Sequence, residues 1–412
     1  KNSTFNGTTS ITRNGTSGSF HCDGGNTFAG TLVLDNAGTS GRVRMANTTP
    51  DTYLGNVTFN STNGQDVQIA YTGNNIFEGN ITINSNKVVF NTASGKVTFA
   101  GGNSQSLNGS YNFPFKKLGI DKSANHVTAN TTLSVDDSLN FVSGNLIITS
   151  SYLLTMKLGS KVIGASNTSF VDGPVKKTGN TAFIYPVGKN YSYRPIEISA
   201  PSTTTSEFTG EFVEDSVLIH TGQRDTTLGA LNRLKYWKLN RNSGTSQVYV
   251  SLNWDSTNFV VDTFVTVASW NGSQWKDLGK GLISGTYTQG KVLSSSIATN
   301  YTEFTIAYES NSPRLSGINC TNISTSAQLR SCIISASGSP SNPVILSIVS
   351  SFDLGANFPI EVSNDITLQG MVGGNPAKWW EPGCPMLSSE YQNNINGPVG
   401  VKNIYLFSAF EN

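Results

Sequence analysis

Charge is scarce in this chain. Only 13% of its 412 residues are Asp, Glu, Lys or Arg, about half the usual share of roughly a quarter, and they balance to a formal +1. A protein that holds nucleic acid needs a basic stripe to neutralise phosphates, and none is present. Histidine is scarcer still, with His21, His126 and His220 each alone and outside any HxxxH or HExxH spacing. Each reads as a turn or solvent residue, and no metal-binding or catalytic histidine pair is available.

Long hydrophobic runs are also missing. No stretch reaches the roughly 18 apolar residues of a membrane-spanning helix, and the opening "KNSTFNGTTS" has no apolar signal core. Lys1 therefore reads as a processed or truncated start. Helical periodicity is absent, because every window is interrupted by Gly or by β-branched runs.

Cysteine is limited to four residues, Cys22, Cys320, Cys332 and Cys384, none in a CxxC spacing. Cys320 and Cys332 bracket "TNISTSAQLRS", a span that fits two neighbouring strands, and are expected to form a local disulfide. Cys22 and Cys384 are left to pair with each other, to pair between subunits, or to stay free.

What the chain does have is neutral polarity: Asn, Ser and Thr in quantity, with 41 glycines and 37% hydrophobic residues. That apolar share is enough for a core, so the composition reads as a secreted β protein and not as a disordered one. The length allows several domains.

A weak repeat runs through the first 110 residues in "NTFAGTLVLDN", "DTYLGNVTFNS", "NNIFEGNITINS" and "GKVTFAGGNS". Gly30, Gly55, Gly79 and Gly101 recur after 25, 24 and 22 residues, each just behind an aromatic or leucine (Phe28, Leu54, Phe77, Phe99). A period in this range signals stacked units, none of which can bury its inner face alone. The expected fold is all-β: an extended segment over 1–24, a β-solenoid over 25–169, an antiparallel β-sandwich over 170–310 and a small β domain over 311–412. In the sandwich, "WNGSQW" predicts a hairpin with Trp270 and Trp275 flanking Asn271-Gly272.

The stretch "SFVDGPVKKTGNTAFIYPVGKNYSYRPIEIS", followed by "LKYWKLNRNSGTSQVYVSLNWD" and "WNGSQWKDLG", resembles the repetitive surface proteins and adhesins of Bacteroidetes. The resemblance covers roughly residues 25–308 and implies an extracellular, cell-surface protein. It further implies O-glycans at Asp-Ser/Thr tripeptides, which here fall on Ser138, Ser216, Thr226 and Ser256. The type IX sorting domain common among such proteins is not recognisable in "VGVKNIYLFSAFEN". Asn-x-Ser/Thr sequons also occur, among them Asn56 and Asn80.

Chemistry is harder to place. Asp136-Asp137 and the acids of "EFVEDS" are the best carboxylate groupings, but neighbours on a strand face opposite sides and cannot share one sugar. A solvated turn or a weak structural calcium contact is the plainer reading, and no other cofactor is implied. A polysaccharide lyase would use Arg42 and Arg44, which lack acidic partners in the next repeat. Trp379 and Trp380 in "KWWEPG" are candidates for stacking on sugars. "FIYPVGKNYSYRPIEIS" reads as a joint between solenoid and sandwich, with Tyr191, Tyr193 and Ile196 on a packed face.

The function expected is therefore non-enzymatic: a structural or adhesive surface protein, in a sharper form the subunit of a filament built by N-terminal strand exchange or end-to-end stacking. The partners expected are further copies of the chain or a cell-surface or polysaccharide ligand. A carbohydrate-binding adhesin module is the alternative, and a solenoid lyase the next.

Overall fold

The computed structural model describes residues 1–215, 219–220, 223–255, 265–286 and 289–310, with short pieces at 324–325, 328, 332, 344–348, 366–372 and 375–376. Ser216, Ser256, Cys320, Cys384, Trp379 and Trp380 lie outside the described residues. The chain is all-β and divides into two compact units, residues 1–213 with 237–248, and residues 214–236 with 249–412.

The first unit opens as a β-solenoid of about eight turns. Each coil has three sides. In the second coil these are Thr27–Phe28, Leu32–Asn36 and Val43–Arg44, and the third repeats them as Thr52–Tyr53, Val57–Asn60 and Val67–Gln68. Successive coils pair in parallel, with Phe28 opposite Tyr53, Leu32 opposite Val57 and Val43 opposite Val67. Alternation then sends every second side chain inward, where Leu32, Leu34, Val43, Phe59 and Ile81 have no exposure.

Aromatic residues hold one edge of this core. Phe5, Phe28, Tyr53 and Phe77 stack face to face, with centroids 5.0, 5.2 and 4.3 Å apart. The repeated glycines sit where coils approach most closely. A Cβ on Gly55 would fall 2.3 Å from the Gly30 carbonyl oxygen, and one on Gly79 2.2 Å from that of Gly55. No side chain fits there. Gly101 shares their register position but has φ +78°, so it serves a turn.

Two boundaries differ from the expectation. Residues 1–24 are no free extended segment but the first coil: Thr4–Phe5 pairs with Thr27–Phe28, Thr9–Arg13 with Leu32–Asn36 and Phe20–His21 with Val43–Arg44. At the other end the coils run past residue 169 to Val175–Thr178, which pairs in parallel with Leu154–Met156. Its open side is then covered by Glu207–Glu214 in antiparallel register.

The proposed joint is part of this cover. Phe183–Tyr185 and Ile196–Ile198 form an antiparallel pair, Val187 bridges to Val171 of the last coil, and Trp237 Nε1 donates to the Arg194 carbonyl at 2.8 Å. Ile196 is buried as expected, but Tyr191 is 90% exposed at the tip of the Lys189–Ser192 turn. Asn190 and Tyr191 both have positive φ there, the geometry of a tight hairpin turn, which points the tyrosine ring away from any core.

In the second unit Val265–Trp270 pairs antiparallel with both Gln274–Asp277 and Glu303–Glu309, and Val250–Asp255 with Gln289–Leu293. The expected hairpin is present: Trp270 faces Trp275, and Asn271 N–H donates to the Gln274 carbonyl at 3.1 Å. Of the two turn residues only Gly272 has positive φ. His220 lies flat on Trp270 with centroids 4.1 Å apart, and its Nε2 is 3.2 Å from Glu303. It is thus packed on a ring instead of standing free in solvent.

Candidate functional site: two uncharged solenoid rows and a neighbouring cleft

The second side of the solenoid presents several outward rows, one of which carries a charge at Asp35 opposite Asn60, while two others carry none. Register places Thr31, Asn56, Asn80, Ser106 and Thr128 in one of these two, beside the inward Leu32, Val57, Ile81, Leu107 and Ala129. Two residues along each strand come Val33, Thr58, Thr82, Asn108 and Asn130. Over these five coils neither row contains a charged or aromatic residue. All ten side chains are exposed or half-buried. Strands in a ladder lie about 4.8 Å apart and alternate residues about 6.6 Å apart, so the rows form a two-dimensional grid.

Hydrogen bonds fix many of these side chains. Asn56 Oδ1 accepts the Asn80 main-chain N–H at 2.9 Å. Asn80 Oδ1 accepts both the N–H and the hydroxyl of Ser106, at 2.8 and 3.0 Å. Asn108 Nδ2 donates to Ser106 Oγ at 2.9 Å, and Asn130 Nδ2 to Asn108 Oδ1 at 3.0 Å. The threonines between them are β-branched and stiff at χ1. This face was visible in the repeat itself, where "TLVLDN", "NVTFNS" and "NITINS" align polar over polar at every outward position but Val33.

A cleft of about 580 Å³ lies on the third side, lined by Asp136, Thr155, Lys157, Leu158, Thr178 and Glu207. Its charges are matched within the protein. Lys157 Nζ is 2.8 Å from Asp136 Oδ1 and Asn91 Nδ2 donates to Asp136 Oδ2 at 2.9 Å. Glu207 takes Lys176 Nζ at 3.2 Å and the Thr178 hydroxyl at 3.2 Å. Asp137 turns away to Lys117, at 3.7 Å, as strand alternation requires. Below the cleft Lys177 is buried, its Nζ donating to the Lys157 and Ser160 carbonyls and to Ser160 Oγ. Desolvation lowers its pKa to about 8.

The remaining candidates scatter. Arg44 is committed to structure, with Nε on Gln68, one terminal nitrogen on Asn47 and its guanidinium 3.7 Å over the Tyr71 ring. Cys22 is free and accepts from Asn26 Nδ2 at 3.3 Å, so it forms no disulfide within the chain. Cys332 is buried, and its expected partner Cys320 lies outside the described residues. Ser138 is only 5% exposed and takes a hydrogen bond from Asn140, which leaves no room for a glycan, whereas Thr226 is exposed in a turn. Among the described residues no group of three His, Cys, Asp or Glu side chains converges on a metal position.

An all-β protein with a three-sided parallel solenoid, two uncharged outward rows on one side and a charge-balanced cleft is thus defined. Comparison with family models, with curated proteins and with solved structures finds no match to the chain.

Proposed function

We propose that this chain is an extracellular, non-enzymatic structural and adhesive protein whose solenoid side carries the contact. The observation that supports it best is the grid of fixed, neutral Thr, Asn and Ser side chains, a surface suited to docking and not to proton transfer. The cleft supports the same reading, because both of its carboxylates are engaged by lysines and neither is placed as a free acid or base. The resemblance to Bacteroidetes surface proteins agrees with it. In this reading the antiparallel sheets of the second unit pack as a sandwich, and Cys332 pairs with Cys320.

Self-association is the sharper version. The inward-facing Phe20 of the first coil is 41% exposed, while its register partner Val43 has no exposure, and a second copy stacked on this coil would cover it. The last coil is covered by its own chain on the third side. Bare first coils meeting each other would give a closed pair, and a fibre would need a second contact elsewhere.

Negative-stain electron microscopy of the wild type and of F5D/F20D tests this. Fibres or end-to-end pairs that disappear in the variant support self-assembly. Single particles in both samples sink it and leave adhesion to a foreign surface. A carbohydrate-binding module remains the second reading, favoured by the cleft and by the exposed Tyr191, and retardation on polysaccharide gels that is lost in Y191A would establish it.

A further inference from the structure

We infer that the Thr/Asn grid of the solenoid is a binding site for a periodic solid, and specifically for the surface of ice. The inference deepens the adhesive reading and rests on it, by naming what the face adheres to.

Such a face cannot hold a small soluble molecule tightly. An exposed hydroxyl or amide exchanges a bond to water for a bond to ligand, and the net gain per contact is small. A soluble molecule touching two or three of these side chains therefore gains little. Only a partner that repeats on the same grid meets many of them at once, and the contacts then add without fresh orientational cost. The ligand must itself be periodic.

Three features narrow the class. The two rows hold no charge, and the carboxylate of Asp35 beside them is engaged by the N–H and hydroxyl of Thr62, which disfavours mineral faces and charged polymers, where ion pairing would supply the affinity. They hold no aromatic ring, the platform that a crystalline polysaccharide would use for the apolar faces of its sugars. The side chains are pre-set, by χ1 stiffness for Thr58 and Thr82 and by the Asn56–Asn80–Ser106 and Asn108–Asn130 hydrogen bonds. That order is lost entropy which a flexible surface would have to supply on binding. A rigid, neutral array of hydroxyls and amides presents hydrogen-bond partners in rows, about 4.8 Å apart across the coils and about 6.6 Å along each strand. Ice is the solid built from such rows.

The other solenoid sides lack this uniformity. On the first side Thr27 and Thr52 begin a comparable row, but Ile76 interrupts it and the adjacent column carries Lys96 and Lys117. On the second side the polar row runs for five coils before Ile147 follows Thr128 and Asp172 follows Ile147, the last paired with Lys189 at 3.0 Å.

The test is ice-affinity partitioning of the whole chain, together with inhibition of ice recrystallisation. The substitutions T58Y and T82Y place a bulky, strand-compatible ring on the grid without entering the core, and T27Y puts the same ring on the first side. Unchanged melting curves verify that all three fold. Wild type and T27Y should enter the growing ice, while T58Y and T82Y should lose about tenfold in activity, equivalent to roughly 1.4 kcal/mol. Exclusion of the wild type from ice overturns the proposal, as does full retention by T58Y and T82Y or a loss confined to T27Y. A parallel pull-down on microcrystalline cellulose separates the two readings. Binding there with exclusion from ice discards ice and keeps adhesion, while binding to neither solid removes support from both.

Discussion

Asp51 accepts both the main-chain N–H and the side-chain amide of Asn26, one coil earlier, through a single carboxylate oxygen at 2.8 and 3.0 Å. Its own N–H donates in turn to Asn75 Oδ1 at 2.8 Å. The three residues form an internal polar ladder in which the middle rung is an acid where its neighbours are amides.

Burial raises the pKa of Asp51, against hydrogen bonds from Asn26, Ala46 and Tyr53 that lower it. A carboxyl with a raised folded-state pKa contributes stability below its unfolded value, and that contribution is lost as pH rises through the folded value. The stability difference between D51N and wild type should therefore move in favour of D51N between about pH 4 and neutrality. Urea titrations of both proteins at the two ends of that window measure it, and a pH-independent difference would contradict it.

Gly55 cannot carry a side chain without forcing two coils apart. G55A and G79A should each cost about 1–3 kcal/mol or more from overpacking, read as a lower denaturant midpoint. An alanine at Gly64, where no atom lies within 4 Å of a Cβ but φ is +71°, should cost only the backbone strain, about 1–2 kcal/mol.

Tyr53 is fully buried between Phe28 and Phe77. Truncation to alanine removes both stacks and should cost about 3–5 kcal/mol. Y53F keeps the rings and loses only a long hydroxyl contact to Asp51 at 3.4 Å. It should melt within a few degrees of wild type.

Lys177 supplies a second pH dependence, of opposite position. Folded, it releases its proton near pH 8, whereas an unfolded lysine holds it to about 10.4. Between these values the unfolded chain binds more protons, so stability rises with pH. Wild type should gain on K177M over that window, even though K177M is the weaker protein throughout for want of the three hydrogen bonds. Parallel stability curves across that pH range would rule this out.

The solenoid was legible because its glycines are spaced by sterics that leave no alternative. The first coil was legible too, in the recurrence of Thr4-Phe5-Asn6-Gly7 as Thr27-Phe28-Ala29-Gly30, but its polar surroundings read as an extended arm. The later coils hide their period, because Phe113–Ala129 and Leu133–Ile148 run around two corners as continuous strands with register shifts. Interior polar groups were the least legible. Lys122 is buried with its Nζ on the Ala100 carbonyl and Gln105 Oε1, an arrangement that exists only once two corners are stacked. The cleft is invisible for the same reason, since Asp136 and Glu207 meet only after the last coil is covered.

The coil repeat has a consequence for economy of length. Some 22 to 25 residues advance the solenoid by one strand spacing, about 4.8 Å, or roughly 0.2 Å per residue. An extended proline-rich linker advances about 3.1 Å per residue. A chain needing only reach could span the same distance with a small fraction of this sequence. What the winding yields instead is area, a broad and stiff panel whose texture is written by two positions in each turn.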